Sequence, residues 1–202
     1  VEPAPAARKE QAGGRGVELA LECVAIPLRS GGDAEFAWEL LQQAYLRLAD
    51  RGLFFTAVDS PRDHWVAGRM EALFGRKVAR FATDEAVAYR ATKHGPLKKV
   101  KTFEAELAFR DRGRLIHALS RPGVFSHRKV DVGARALIES LSEVKGEVER
   151  DLLAPGARVL DLGCGSGVVG FAAALRAPDV RVHAVDSMPR AVECARRGAA
   201  LN

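Results

Sequence analysis

The sequence predicts an α/β fold built around open sheets, and three observations indicate this fold class. Strand-like apolar runs alternate with helix-like apolar spacing in both halves of the chain. A glycine-dense turn joins a buried strand to the start of a helix within residues 159–170. The alternation of strand and helix then continues as far as Asn202.

The first half of the chain is expected to contain a strand at 17–28, a helix at 34–50, a strand at 53–58, a helix from Ser60 to Phe74, and strands at 77–81 and 86–92. Gly52 is expected to end the first helix, because glycine readily adopts a left-handed conformation. Ser60 and Pro61 favour an N-cap and a first helical turn. The run 53–58 is apolar throughout, which is typical of a strand covered on both faces. This order predicts the second half of an open α/β sheet.

The second half opens with a basic stretch and then returns to the same alternation. Five cations follow one another without an acidic residue among them: Arg90, Lys93, Lys98, Lys99 and Lys101. The elements expected after them are strands at 103–109 and 115–119, a loop at 121–131, a helix from Val132 to near Gly146, a strand from Val159, a helix at 168–176, a strand at 180–185 and a helix at 189–199. Residues 95–120, a basic turn and a hairpin, are interpreted as the domain junction.

The composition is that of an ordinary folded protein. The chain has 202 residues, of which 48% are hydrophobic and 28% charged, with a formal net charge of +5. This mild basicity does not by itself indicate nucleic-acid binding. The three cysteines lack metal-ligand spacing, so we expect reduced thiols in the cytoplasm and no metal site. No apolar run approaches the ~18 residues of a membrane helix, and residues 1–16 are interpreted as a flexible tail.

The glycine-dense turn is the candidate ligand site. Gly163, Gly165 and Gly167 allow the backbone to approach a ligand closely, and the turn and helix N-terminus are expected to present free N–H groups. Residues 165–170 also satisfy the dinucleotide pattern GxGxxG, a weak signal alone. Asp161 argues against a dinucleotide, because its carboxylate would repel a pyrophosphate.

A ligand with a cationic end would instead be attracted by Asp161. S-adenosylmethionine carries an ammonium and a sulfonium and no phosphate. Asp186, after the next strand, is expected to accept both ribose hydroxyls, with Ser187 along the adenine edge. The alternative for both carboxylates is a role in turns or caps. Cys164 lies inside the turn and is interpreted as a small packing residue rather than a nucleophile.

The basic stretch has two interpretations. It is either a solvated loop or a set of contacts to the phosphates of a nucleic acid. Only one aromatic residue, Tyr89, lies beside it, so base stacking there has little support.

The residues Val159–Gly170 resemble motif I of class I S-adenosylmethionine-dependent methyltransferases. Residues 121–137 (RPGVFSHRKVDVGARAL) resemble the segment before motif I in bacterial ribosomal RNA guanine-N2 methyltransferases of the RsmC type. Those enzymes have two tandem Rossmann-like domains, of which the first is degenerate. The resemblance implies that 17–94 is the C-terminal half of a degenerate domain and 121–202 the N-terminal part of the cofactor-binding domain.

The resemblance also implies an activity and further site residues. Phe125 and Ser126 would help to close over S-adenosylmethionine, and Asp131 or Gly133 would shape that loop. The implied reaction is direct methyl transfer to a guanine exocyclic amine in ribosomal RNA, in the cytoplasm. The alternatives are a methyltransferase acting on a protein or a small molecule, and a non-catalytic RNA-binding or assembly fragment.

One motif of the family is absent. The Asn-Pro-Pro-aromatic motif that holds the acceptor amine does not occur in the sequence, although residues 25–28 (AIPL) are interpreted as an eroded counterpart. We therefore name no catalytic residue, expect the substrate-activating residues beyond Asn202, and expect the 202 residues alone to be inactive.

Overall fold

The structure is a computed structural model, and it describes residues 20–145 and 148–202. The contacts divide the chain into two units. The first unit contains residues 20–30 and 41–98, and the second contains 31–40 and 99–202. The tail expected over residues 1–16 lies outside the described residues.

The first unit is built on a four-stranded sheet of order β1-β2-β4-β3. Its elements are β1 (Leu21–Leu28), α1 (Ala34–Arg47), β2 (Leu48–Val58), α2 (Trp65–Phe74), β3 (Ala79–Ala82) and β4 (Val87–Thr92), of which α1 contributes only its later residues to this unit. Strands β1 and β2 are parallel, and β4 is antiparallel to both β2 and β3. The helices pack on one face of the sheet around a core that includes Leu41, Phe54, Met70 and Tyr89.

The expectation that residues 53–58 are covered on both faces is wrong. Phe54 is fully buried, whereas Phe55 beside it is 36% exposed and Leu53 is 40% exposed. Successive side chains of a strand point to opposite faces, and only the face of Phe54, Thr56 and Val58 joins the core. The apolar run alone did not distinguish these faces.

Two predicted helix boundaries in this unit are also wrong. Helix α1 ends at Arg47, and Gly52 lies inside β2, where a Cβ would come within 2.9 Å of Ala49 O. Gly52 therefore permits a close backbone approach and does not end the helix. Helix α2 begins at Trp65 rather than at Pro61; its N-cap is His64, and the Asp63 carboxylate before it accepts the Val66 N–H at 3.0 Å.

The described residues of the second unit form three two-stranded sheets and, besides the first residues of α1, three helices. Its elements are β5 (Ala105–Asp111), β6 (Arg114–Ser120), α3 (Val132–Glu139), β7 (Ser142–Lys145), β8 (Val148–Asp151), β9 (Arg158–Leu162), α4 (Val168–Ala174), β10 (Arg181–Val185) and α5 (Pro189–Ala199). Strands β9 and β10 are parallel, and β5–β6 and β7–β8 are antiparallel hairpins. The parallel pair positions the glycine-dense turn at the carboxyl ends of its strands.

The helix expected from Val132 to near Gly146 is shorter than predicted. Helix α3 ends at Glu139, and β7 and β8 follow it; Gly146 lies outside the described residues. The start of α3 agrees with the prediction, since the Asp131 carboxylate accepts the Gly133 N–H at 2.7 Å. Sequence periodicity missed the hairpin, because its strands are only four residues long.

A buried arginine joins several elements of the second unit. The Arg176 side chain, 2% exposed, donates to Asp111 at 2.9 Å, to Asp151 at 2.6 Å and to Ile138 O at 2.8 Å. It thereby joins β5, β8 and α3 to the end of α4. None of the helices in the described part of the chain has the length and apolar character needed to cross a membrane.

The two faces of β2 give a matched test of this packing. We expect Phe54→Ala to lower the free energy of unfolding by about 3–5 kcal/mol, since it leaves a cavity in the core. Phe55→Ala should cost less than about 1 kcal/mol, because that ring is already partly solvated. Urea unfolding followed by circular dichroism measures both changes. Equal losses in the two variants would contradict the one-sided sheet.

Candidate functional site

The turn between β9 and α4 has the backbone conformation that its glycines predict. Gly163, Gly165 and Gly167 have φ values of 76°, 53° and 85°, in the left-handed region that favours glycine. A Cβ on Gly167 would also lie 2.6 Å from the Phe171 ring. A Cβ on Gly163 or Gly165 would meet no atom within 4 Å, so the space above the turn is open.

The amides of the turn are bonded within the protein. The Gly163 and Cys164 N–H groups donate to Val185 O at 2.7 and 3.0 Å, and the Gly165 N–H donates to Asp186 Oδ2 at 2.9 Å. The expectation of free N–H groups is therefore wrong for these three residues. They tie the turn to the end of β10 instead of presenting donors to an anion.

Asp186 follows β10 and is held in place through both of its oxygens. Oδ2 accepts the Gly165 N–H, and Oδ1 accepts the Met188 N–H at 2.8 Å. The carboxylate is half-buried, and Ser187 beside it is exposed. Each carboxylate oxygen accepts more than one hydrogen bond, so Asp186 retains capacity for two further donors.

Asp161 lies in β9, on the strand next to β10. Its Oδ2 accepts the Gly170 N–H at 3.0 Å, from the first turn of α4. Burial raises the pKa of the Asp161 carboxyl, and the nearby charge of Asp186 raises it further. Among the described residues, neither carboxylate takes part in an ion pair. A cation at the turn would therefore find two carboxylates with no opposing protein charge.

Cys164 is buried within the turn, with 7% of its surface exposed. Burial raises the pKa of the Cys164 thiol, and the charges of Asp161 and Asp186 raise it further. The thiol is therefore protonated at neutral pH. Because the thiolate is the nucleophilic form, this environment agrees with the interpretation of Cys164 as a packing residue.

The loop between β6 and α3 lines a cavity of about 540 Å³ together with the start of α1. Phe125 is 75% exposed at this cavity. Ser126 has a φ of 55°, and its buried Oγ has no hydrogen-bond partner in the part of the chain that the structure describes. Burial lowers the pKa of His127, whose Nδ1 lies 3.1 Å from Ser120 Oγ.

The structure thus brings part of the predicted site together. Asp161, the three glycines, Cys164 and Asp186 converge on one turn, with Ser187 next to it. Within the described residues, no hydrogen bond or ion pair joins Phe125 or Ser126 to that turn. Their loop packs on α5 instead, through a buried cluster of Val124, Ala191 and Cys194.

Sequence analysis missed a buried ion-pair cluster beside this loop. Glu39 of α1 is 3% exposed and accepts hydrogen bonds from Arg121 and Arg190. Glu35, one turn earlier, pairs with Arg128 at 2.7 and 3.1 Å. No local pattern identifies such partners, because Glu39 and Arg190 are distant in sequence.

The five cations of the basic stretch have different environments. The Lys93 ammonium donates to Leu48 O and lies 5.1 Å from the centre of the Tyr45 ring. Lys101 lies over the rings of Trp38 and Phe103 and pairs with Glu35. Arg90, Lys98 and Lys99 are exposed.

Comparison with known proteins shows what the C-terminal part of the chain is similar to. Residues 116–202 match the family model of the methyltransferase small domain. This segment, which is under half of the chain, is therefore similar to methyltransferase small domains. It contains the turn, Asp161, Asp186 and the loop of Phe125 and Ser126.

Proteins with sequences similar to this chain include named enzymes. Ribosomal RNA small subunit methyltransferase C of Aeromonas hydrophila is 36% identical over 54% of this chain and 30% of its own length. Ribosomal RNA large subunit methyltransferase G of Shewanella sediminis is 34% identical over 55% of this chain and 24% of its own length. The uncharacterized protein YbxB of Bacillus subtilis is 37% identical over 51% of this chain and 47% of its own length. The chain spans less than half of each relative.

The fold also matches a solved structure. The T. thermophilus 16S rRNA N2 methyltransferase RsmC, in complex with AdoMet and guanosine, superposes with a TM-score of 0.72 at 22% identity. The match covers 91% of this chain and 48% of that one. The predicted α/β, Rossmann-like class I methyltransferase fold is therefore confirmed.

The raised pKa of Asp161 predicts how stability depends on pH. The folded state binds the proton of the Asp161 carboxyl more tightly than the unfolded state does. The free energy of unfolding therefore falls as pH rises and this carboxyl ionises. Asp161→Asn removes this effect, so we expect the variant to be more stable than wild type at pH 7. The gain should shrink towards about pH 4, near the ordinary pKa of aspartate.

Urea titrations at several pH values measure this difference. Asp179→Asn is the matched control, since Asp179 is exposed at the opposite end of β10, and its effect should stay within about 0.5 kcal/mol. A loss of stability in Asp161→Asn at pH 7 would contradict the assignment.

Proposed function

We propose that this chain binds S-adenosylmethionine at the turn between β9 and α4. Asp161 would face the cationic methionyl end, and Asp186 would accept the ribose hydroxyls. Gly163, Gly165 and Gly167 would lie under the ligand, with Cys164 packed inside the turn. Ser187, Phe125 and Ser126 would complete the site from the next segment and from the preceding loop.

The observation that carries this proposal is the pair of carboxylates at one glycine turn. Neither has a cationic protein partner among the described residues, and burial disfavours the charge of Asp161. A cationic ligand would stabilise that charge, whereas a pyrophosphate would add a like charge. The turn amides that donate to Val185 and Asp186 also leave fewer donors for a phosphate.

The turn fits a cofactor that lies directly against its backbone. Open space lies above Gly163 and Gly165, where any other residue would carry a side chain. When bound, the cofactor supplies a methyl group on a sulfonium. The chain itself would position that group, since the Cys164 thiol is protonated and no other residue of the turn is a nucleophile activated by a neighbouring base.

We further propose that the acceptor is a guanine exocyclic amine in ribosomal RNA. The names of the relatives support RNA as the substrate class, and the T. thermophilus structure with guanosine supports a guanine. The exposed cations Arg90, Lys98 and Lys99 would contact phosphates of the ribosomal RNA or subunit. Lys93 and Lys101, predicted as contacts too, would contribute less, because both already contact protein groups.

Two alternatives have less support. A methyltransferase for a protein or a small molecule would share the turn, and a non-catalytic RNA-binding module would share the basic stretch. Salt-dependent binding to ribosomal RNA would favour the proposal over a methyltransferase for a protein or a small molecule. Methyl transfer by a longer protein that contains this chain would favour it over a non-catalytic RNA-binding module.

Calorimetric titration of the chain with S-adenosylmethionine and with NAD tests the cofactor assignment. We expect binding of the first ligand and none of the second. Asp186→Asn should weaken binding by about tenfold to a hundredfold, the value of one hydrogen bond to a charged group.

Asp179→Asn again serves as the control, because this exposed carboxylate lies at the other end of β10. The affinity of this variant for S-adenosylmethionine should match that of the wild-type chain. Binding of NAD instead of S-adenosylmethionine, or equal affinities in the two variants, would refute the proposed site.

A further inference from the structure

We infer that Glu39 is a positioning residue that holds two walls of the cofactor site at a fixed separation. The inference rests on the proposed function, since it concerns the S-adenosylmethionine site. Glu39 lies outside the matched segment 116–202, although the contacts group it with the second unit.

One buried carboxylate connects two guanidinium groups. Glu39 is 3% exposed, and its Oε1 accepts from Arg121 Nη2 at 2.7 Å. Its Oε2 accepts from Arg190 Nη1. Both oxygens of the carboxylate are thus bonded to different parts of the matched segment.

Each arginine belongs to a different wall of the site. Arg121 is the first residue of the loop that carries Phe125 and Ser126. Arg190 lies in the first turn of α5, just after the segment in which Asp186 accepts the Met188 N–H. The position of Glu39 therefore affects both the loop and the proposed ribose-binding segment.

Further contacts make this junction rigid. Arg190 also donates to Pro122 O at 3.3 Å, so it reaches the loop directly. The Arg190 guanidinium lies 5.0 Å from the centre of the Phe36 ring. The same ring packs against Gly123, where a Cβ would come within 3.1 Å of it. Phe36 and Glu39 thus support the loop and α5 together.

A neutral side chain at position 39 would leave this arrangement incomplete. Removing one partner of a buried ion pair leaves uncompensated charge, which draws water or displaces side chains. Here the displaced groups would be Arg121 and Arg190. The loop and the start of α5 would then lose their common anchor, and the ligand would lose preorganised contacts.

A second ion pair on α5 provides a matched control. Arg197, near the end of the helix, donates to both oxygens of Glu104 at 2.5 and 2.9 Å. The two side chains are 41% and 30% exposed, and neither contacts the loop or Asp186 through any interaction found in the described residues. Glu104→Gln therefore removes a carboxylate–arginine pair from the same helix that includes neither Arg121 nor Arg190, and Arg197 is connected to Arg121 indirectly, through Glu193.

The test measures binding of S-adenosylmethionine to the chain by calorimetry, with urea unfolding to confirm that each variant is folded. We expect Glu39→Gln to raise Kd about tenfold and Glu104→Gln to leave it within about twofold. Combining Glu39→Gln with Asp186→Asn should raise Kd by less than the product of the single effects. Combining Glu104→Gln with Asp186→Asn should give the product.

Arg190→Lys is the second variant, since it keeps the charge but loses the planar fork that reaches Glu39 and Pro122. It should also raise Kd, and it decides the question if Glu39→Gln fails to fold. An unchanged Kd in the folded variants would overturn the role of Glu39 and leave the proposed function intact. An effect on Kd that multiplies with that of Asp186→Asn would do the same. Absence of binding by the wild-type chain would overturn the proposed function and this inference together.

Discussion

The candidate site depends on the connection between the glycine turn and the end of β10. The amides of Gly163 and Cys164 donate to Val185 O, and that of Gly165 donates to the Asp186 carboxylate. These bonds need a backbone that reverses within a few residues, which the positive φ angles of the glycines provide. The turn thereby becomes a rigid platform, and Asp186 is oriented by the same residues that form it.

The electrostatics of this platform determine which ligand it suits. Burial raises the pKa of the Asp161 carboxyl, and the charge of Asp186, which follows the adjacent strand, raises it further. Such an arrangement reduces stability unless a cation compensates it, which is a common cost of a preorganised binding site. Burial raises the pKa of the Cys164 thiol, and the same charges raise it further. The proposed affinity for a cation and the protonated state of this thiol thus follow from one environment.

Local features of the sequence predicted this platform. Features of the structure that depend on contacts between distant residues were not predicted. The turn, Asp161 and Asp186 were predictable because strand, turn and helix signals lie within a few residues of one another. Gly52 was misassigned because its close approach to Leu21 O of β1 is a tertiary contact. Glu39 gave no signal, since its partners Arg121 and Arg190 lie 82 and 151 residues further along the chain. The sequence pattern also did not show that Phe55 is exposed.

Amide chemical-shift mapping with S-adenosylmethionine tests the central claim most directly. If the turn binds the cofactor, the amide resonances of Gly163, Gly165, Gly167 and Ser187 should shift together on titration. Their shifts should yield a single Kd, and the resonances of the first unit, such as Phe54, should stay in place. No change at the turn at saturating ligand, or changes confined to other residues, would contradict the account.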